Sequence, residues 1–188
     1  MVSVRLRRIK QEYGDRVVIK WKSFPLYPDY SPGRRVKDLP LLSATSRMRA
    51  AAEEEGIGYK DWPKDVDMPA SSIPGLEAAK CAELQGEEAF ERFHFALLRA
   101  YFVENHDISQ RDVMVSVARQ AGLDVERFIS DYDGGAQRAV VLAEYQEALK
   151  DRQFSGIPAA FFDSRIWFEG GVPIEMYRRA IDRILAES

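Results

Sequence analysis

The chain is poor in the residues that most often carry metal, redox and disulfide chemistry. Its single cysteine, Cys81, can form no intramolecular disulfide and belongs to no C-x-x-C pair. The two histidines, His94 and His106, lie too far apart in the sequence to form a ligand pair on one helix. We therefore expect no metal site, and we expect Cys81, in the segment AAKCAE, to pack as a small apolar residue.

Long apolar runs and a strong net charge are also missing. No stretch approaches the length of a membrane span, and the first ten residues, MVSVRLRRIK, lack the apolar region of a signal peptide. We therefore predict a cytoplasmic protein with no membrane partner. The net charge of −3 predicts no nucleic-acid partner either. Residues 1–40 contain ten Lys or Arg and four Asp or Glu, which we interpret first as a solvated helix face and second as an anion-binding patch.

The 188 residues contain enough apolar material, 46%, to bury a core as one domain or as one domain carrying an insertion. Val2, Leu6, Ile9 and Tyr13 recur at helical spacing and predict a first helix. The segment RVVIKWKSF then predicts a strand, Val17–Phe24, which Pro25 ends.

From about Leu42 the apolar pattern becomes helical and stays so for roughly a hundred residues. The clearest apolar stripe, which predicts a core more than a ligand pocket, consists of Phe90, Phe93, Leu97, Ala100 and Tyr101. The helices predicted in this block are Ser43–Glu55, Pro74–Gln85, Glu87–Asn105, one from a capping box at Ser109 and Asp112 to Gly122, a short one from Asp124 to about Asp131, and Gln137–Asp151.

The segment FSGIPAAFFDSRIWFEGG predicts a β-hairpin with strands Ala159–Phe162 and Ile166–Glu169. Pro158 stands directly before the first strand and has two interpretations. It is either a proline that starts an edge strand or the second residue of a cis Ile157–Pro158 peptide bond. The residues alone favour the first interpretation. A last helix, Pro173–Leu185, completes an α/β frame that an all-α block interrupts.

Several segments resemble the DsbA-like thioredoxin-fold family, especially its polyketide-biosynthesis-type and 2-hydroxychromene-2-carboxylate-isomerase-like branch. The resemblance implies an α/β, thioredoxin-like fold with a large all-α helical insertion. Residues 1–42 and 151–188 would form the N-terminally truncated thioredoxin-like domain, and residues 43–150 the insertion. The segments that carry the resemblance are VVIKWKSFPLYP, AAKCAELQG, FHFALLRAYFVENHDIS, VARQAGLD and SGIPAAFFDSRIWFEGGVPIEMYRRAI.

One part of the family pattern is absent. In the family a strand and a C-x-x-C motif precede the first helix, whereas this chain begins inside that helix. The missing strand would lie in the middle of the sheet, between Val17–Phe24 and Ala159–Phe162, and its removal would leave two strand edges facing a gap. Three interpretations stay open: the gene product starts upstream, the chain is a degenerate member that closes the gap by rearrangement or with a partner, or MVSVRL is a surviving strand.

The resemblance also implies a docking site. Pro158 would be the family's cis-proline, and Ile157 would offer its backbone N–H and C=O to an extended peptide or to the cysteinyl part of glutathione. The candidate substrate-binding residues are thus Gly156, Ile157, Pro158 and Phe24, with no catalytic residue and no metal ligand in this chain. No cofactor is expected, glutathione is an alternative substrate or cosubstrate, and a homodimer stays open.

Three functions follow from the resemblance. The first is a thiol–disulfide oxidoreductase whose redox C-x-x-C is absent from this chain, which alone would be redox-inactive. The second is a glutathione-dependent isomerase or transferase of the kappa-like branch, in which a serine replaces the cysteine pair. The third is a non-catalytic binding or scaffold protein that retains the docking groove. Codons upstream of Met1 would separate them.

Overall fold

The computed structural model describes residues 2–35, 52, 56, 58–150 and 157–187 of the chain. The chain divides into two compact units. The first unit is Met1–Lys22 with Ala148–Ser188, and the second unit is Ser23–Glu147. The domain boundaries expected near residues 42 and 150 stay a prediction.

The regular elements follow the order helix, helical block, hairpin, helix. A 3-10 turn, Gly14–Arg16, follows the first helix directly. The elements are α1 (Val2–Tyr13), α2 (Ile73–Glu83), α3 (Glu87–Phe102), α4 (Arg111–Gln120), α5 (Val125–Asp133), α6 (Gln137–Lys150), β1 (Ala159–Phe162), β2 (Ile166–Glu169) and α7 (Ile174–Ala186).

In the first unit, helices α1 and α7 pack together over one face of the hairpin. Ile9, Tyr177 and Ile181 form the buried centre of this unit. As predicted, helical spacing places the side chains of Val2, Leu6, Ile9 and Tyr13 on one face of α1, and this face packs in this unit's core. The partly buried residues around the centre are Val2, Leu6, Tyr13, Val17, Ala160, Phe162, Val172 and Ile174.

The predicted hairpin is confirmed with its predicted bounds, and α7 follows it. Strands β1 and β2 pair antiparallel, with Ala160 opposite Phe168 and Phe162 opposite Ile166. Asp163 and Ser164 both have positive φ, 48° and 56°, and the N–H of Arg165 donates to the Phe162 carbonyl at 2.9 Å. Positive φ at both central residues gives the turn a twist that matches a two-stranded ribbon.

The predicted strand Val17–Phe24 is wrong as a sheet strand. Its side chains do alternate between half-buried and exposed from Val17 to Lys22, as extended backbone requires. However, the sheet in the described residues consists of β1 and β2 alone. A strand is defined by its ladder of hydrogen bonds to a neighbour, and the neighbour that the resemblance places beside Val17–Phe24 is not in that sheet.

Two other expectations near helix ends are also corrected. Residues 2–13 are helical, so MVSVRL is not a surviving strand. Ser109 does not cap α4, because the Asp107 carboxylate accepts hydrogen bonds from both its N–H and its hydroxyl, at 2.9 and 2.6 Å. The N-cap of α4 is Gln110, without a side-chain bond. By contrast, Asp124 caps α5 as predicted and accepts from the Arg127 N–H at 3.1 Å.

The second unit is a helical block with its own core. Phe93 of α3 and Phe128 of α5 are fully buried and meet with ring centroids 5.5 Å apart. The predicted apolar stripe of α3 is confirmed for Phe90, Leu97 and Ala100, which are also buried, whereas Tyr101 is half-buried. Apart from Ala52, which is helical and buried, the predicted helix Ser43–Glu55 lies outside the described residues. None of the helices described here has the length and apolar character needed to cross a bilayer.

Candidate functional site

The entrance of the hairpin, Ile157 and Pro158, is the site that the sequence singled out. The Ile157–Pro158 peptide bond is cis in the structure. The Pro158 carbonyl accepts a hydrogen bond of 2.7 Å from the Gly170 N–H, which ties the entrance to the end of β2. The Ile157 side chain is 47% exposed. Gly156, the third predicted residue of this loop, lies outside the described residues.

A buried arginine supports the turn that follows β2. Arg5 of α1 is only 8% exposed. Its Nη1 donates to the carbonyls of Gly171 and Val172, at 3.2 and 2.6 Å. Arg5 lies in the basic stretch that the sequence favours as a solvated helix face, and for Arg5 that interpretation is wrong. The burial of Arg5 could have been inferred from the sequence, because helical spacing places Arg5 on the same face of α1 as Val2 and Ile9.

The fourth predicted residue, Phe24, belongs to the second unit. Its ring meets Tyr145 of α6 edge-on, with centroids 5.1 Å apart. The preceding N–H, that of Ser23, donates to Oε2 of Glu144 at 2.6 Å. The structure therefore brings Ile157, Pro158 and Gly170 together in the first unit, whereas Phe24 is held within the second unit by α6. Glu144 was not identified from the sequence.

Cys81 is a packing residue, as predicted. It is 1% exposed in the core of the second unit, on α2. Burial raises the pKa of its thiol to about 12, and the charges of Asp131 and Glu77 act in the same direction. A thiol with so high a pKa supplies almost no thiolate near neutral pH, so Cys81 is a poor nucleophile. Among the described residues, no three His, Cys, Asp or Glu side chains are grouped as metal ligands.

Comparison with known proteins identifies the family. The profile of the DSBA-like thioredoxin domain matches residues 1–182. The chain belongs to this family. The fold prediction is therefore confirmed: the chain has a thioredoxin-like DsbA fold with mostly helical content.

Solved structures support the same fold. A putative protein disulfide isomerase from Nitrosomonas europaea superimposes with a TM-score of 0.77 at 20% identity, covering 98% of this chain and 90% of that one. A probable DsbA oxidoreductase from Streptomyces coelicolor gives a TM-score of 0.78 at 23% identity, covering 98% of this chain and 83% of that one. Both likenesses are at the level of fold.

One relative in sequence is named as an adapter protein and not as an oxidoreductase. The ClpXP adapter protein SpxH of Shouchella clausii is 26% identical over 140 residues, which are 70% of this chain and 46% of that protein. The chain thus spans less than half the length of this relative.

Proposed function

We propose that this protein serves thiol–disulfide oxidoreduction as a DsbA-like protein that binds an extended, thiol-bearing peptide at the hairpin entrance, and that its own 188 residues do not exchange disulfides. The observation that carries the proposal is that the backbone of Ile157 is unpaired in the described residues. Within the described part of the chain, no hydrogen bond engages its backbone N–H or C=O. Pro158 beside it is already held by Gly170. An extended peptide binds such an edge through main-chain hydrogen bonds.

The chemistry of disulfide exchange supports the proposal that these 188 residues do not exchange disulfides. Dithiol exchange proceeds through a thiolate and a mixed disulfide, and a second thiol resolves that intermediate. This chain has one cysteine, and it is buried with a raised pKa. We place the protein in the cytoplasm, where a lone reduced cysteine is ordinary.

The binding half is tested with protein labelled with ¹⁵N at isoleucine. A short cysteine-containing peptide should shift the Ile157 amide resonance in a saturable way. The variants lack this resonance, so their binding is measured by isothermal titration calorimetry. Ile157→Pro removes the N–H donor and should abolish binding, whereas the matched variant Ile157→Ala retains the donor and should bind within about threefold of the parent. Equal binding by the two variants, with both folded by circular dichroism, would overturn the docking site.

The redox half is tested by insulin reduction with dithiothreitol as the electron source. The chain should give no turnover above background, and Cys81→Ser should behave identically. Turnover that Cys81→Ser abolishes would show that Cys81 is catalytic and would contradict the proposal.

A second candidate function is non-catalytic binding, and the name of the curated relative favours it. That relative is called an adapter protein. An adapter acts by binding its partners, for which a docking surface suffices. The same titration separates the two candidates, because an adapter should bind a serine-for-cysteine peptide as tightly as the cysteine peptide. The glutathione-dependent function and the homodimer stay predictions. A titration with reduced glutathione in place of the peptide tests the glutathione-dependent function.

A further inference from the structure

Two buried N–H groups near Tyr101 have no hydrogen-bond acceptor within the described part of the chain. They are the indole Nε1–H of Trp62 and the guanidinium Nε–H of Arg34. Trp62 is only 8% exposed, and its ring centroid lies 5.5 Å from that of Tyr101. Buried donors almost always have a hydrogen-bond partner in folded proteins. Two unsatisfied donors near the same tyrosine therefore indicate a missing acceptor.

Arg34 also lacks a counter-charge. Its guanidinium lies 3.4 Å from the centroid of the Tyr27 ring, and its Nη2 donates to the Pro69 carbonyl. No carboxylate in the described part of the chain pairs with it. The next residue, Arg35, differs in this respect, because its Nε lies 2.8 Å from Oδ1 of Asp67. A half-buried cation without an anion is costly, so the missing acceptor at Arg34 should carry negative charge.

Arg34, Tyr27 and Trp62 surround one side chain, Tyr101. Burial raises the pKa of Tyr101 to about 12, the charge of Tyr27 adds to this rise, and the positive charge of Arg34 opposes it. These four residues are called the Tyr101 cluster below. Tyr27, Arg34 and Tyr101 are half-buried, whereas Trp62 and the two unpaired donor atoms are buried.

Backbone hydrogen bonds fix the position of the cluster. The N–H of Met68 donates to the Arg34 carbonyl at 2.7 Å, and the N–H of Ser72 donates to the Tyr27 carbonyl at 3.0 Å. On the other side, Nδ2 of Asn105 donates to the carbonyl of Asp61, next to Trp62, at 3.0 Å. These bonds fix the backbone segments that carry Tyr27, Arg34 and Trp62 around Tyr101.

We propose that Arg34 and Trp62 bind the carboxylate of a small organic acid or of a peptide C-terminus. Among the described residues, Arg34 and Trp62 each leave a donor unpaired, which matches a ligand that accepts, and Oδ1 of Asn105, beside Asp61, leaves an acceptor unpaired. Two donors suit the two oxygens of a carboxylate, and the positive charge of Arg34 makes its bond charge-assisted. The rings of Tyr27 and Tyr101 supply an apolar wall for the carbon atoms of the ligand.

The test uses the full chain, labelled with ¹⁵N, at constant ionic strength. The indole resonance of Trp62 is assigned with Trp62→Phe and followed during titration with sodium acetate or with its neutral isostere, acetamide. Acetate should shift this resonance to saturation and acetamide should not. The indole resonance of Trp167, which is 54% exposed, should move with neither probe and serves as an internal control. A shift that acetamide reproduces, or one that does not saturate, would overturn the proposal.

Variants test the role of the Arg34 charge, and peptides test the source of the carboxylate. Arg34→Gln should weaken acetate binding about tenfold or more, because it removes the charge, whereas Arg35→Gln should leave binding unchanged. Unchanged affinity in Arg34→Gln would also overturn the proposal. If Arg34→Gln does not fold, the comparison of acetate with acetamide in the parent decides alone. A short peptide with a free C-terminus, compared with its amidated form, distinguishes a peptide source of the carboxylate from a free acid.

Discussion

Lys80 and Glu144 form a buried ion pair in the second unit. Nζ of Lys80 lies 2.9 Å from Oε1 of Glu144, and the two side chains are 9% and 11% exposed. The other oxygen of Glu144 accepts the Ser23 N–H. One carboxylate thus joins α2, α6 and the end of the extended segment that precedes Phe24.

Removal of Glu144 should destabilise the protein far more than removal of Glu83, another partner of Lys80. Glu144→Ala leaves a buried ammonium and a backbone N–H without this carboxylate, so we expect a loss of about 3 kcal/mol in the free energy of unfolding. Glu83 also contacts Lys80 at 2.9 Å, but its side chain is 46% exposed, so Glu83→Ala should cost about 1 kcal/mol or less. Urea unfolding followed by circular dichroism measures both, and equal losses would contradict this assignment.

The same pair predicts a loss of stability at high pH. Burial lowers the pKa of Lys80, but its hydrogen bonds to Glu144 and Glu83 outweigh burial and leave the pKa above its ordinary value. A raised folded-state pKa means that the stabilisation is present below the unfolded pKa, about 10.4, and disappears as the pH rises through the folded value. The difference in unfolding free energy between the parent and Lys80→Met should therefore be constant from about pH 7 to 9 and shrink above about pH 10.5. A difference that grows in that range would contradict the sign.

The hairpin and the helices were predictable because local chemistry decides them. Turn residues and glycines delimit β1 and β2, and the periodic apolar stripe of α3 identifies its buried face. Asn105, with φ of 55°, follows α3 in the left-handed region, so the predicted end of that helix was a few residues too late.

The contacts that position the candidate sites were not predictable, because their partners are remote in the sequence. Arg5 bonds to carbonyls 166 and 167 residues away, and Lys80 pairs with a residue 64 positions away. Periodicity reports which face of a helix is apolar, but it does not report which distant acceptor a buried cation meets. The strand Val17–Phe24 failed for a related reason, since a local β pattern requires a neighbouring strand to become a sheet.

Cys81 should resist alkylation in the folded protein. A rise of its pKa from 9.0 to about 12 lowers the thiolate fraction roughly a thousandfold near neutral pH, and burial blocks access as well. Iodoacetamide should therefore label native Cys81 at least about a thousandfold more slowly than the urea-unfolded chain. A cysteine placed at the exposed position 84 (Leu84→Cys in a Cys81→Ser background) is the control and should react at the rate of the unfolded chain. Rapid labelling of native Cys81 would show that the core around α2 opens readily.

The two faces of the hairpin should differ sharply in their contribution to stability. Phe162 and Phe168 meet the ring of Tyr177 edge-on, with centroids 5.7 and 6.0 Å apart, and Tyr177 is 1% exposed. On the opposite face, Phe161 and Trp167 stack with centroids 6.2 Å apart, but Trp167 is 54% exposed. Tyr177→Ala should therefore lower the unfolding free energy by about 3–5 kcal/mol, because it leaves a cavity beneath β1 and β2.

Trp167→Ala is the matched control for that cavity. It removes a larger side chain from the same hairpin, yet it should cost only about 1 kcal/mol, because most of what it removes is one aromatic contact in solvent. Urea unfolding followed by far-ultraviolet circular dichroism measures both variants without relying on tryptophan fluorescence. Exchange of the Gly170 amide hydrogen, which bonds to the Pro158 carbonyl, provides a local readout, and it should accelerate strongly in Tyr177→Ala and little in Trp167→Ala. Equal acceleration in the two variants would mean that the exposed stack holds the hairpin entrance as firmly as the buried face does, and would contradict this prediction.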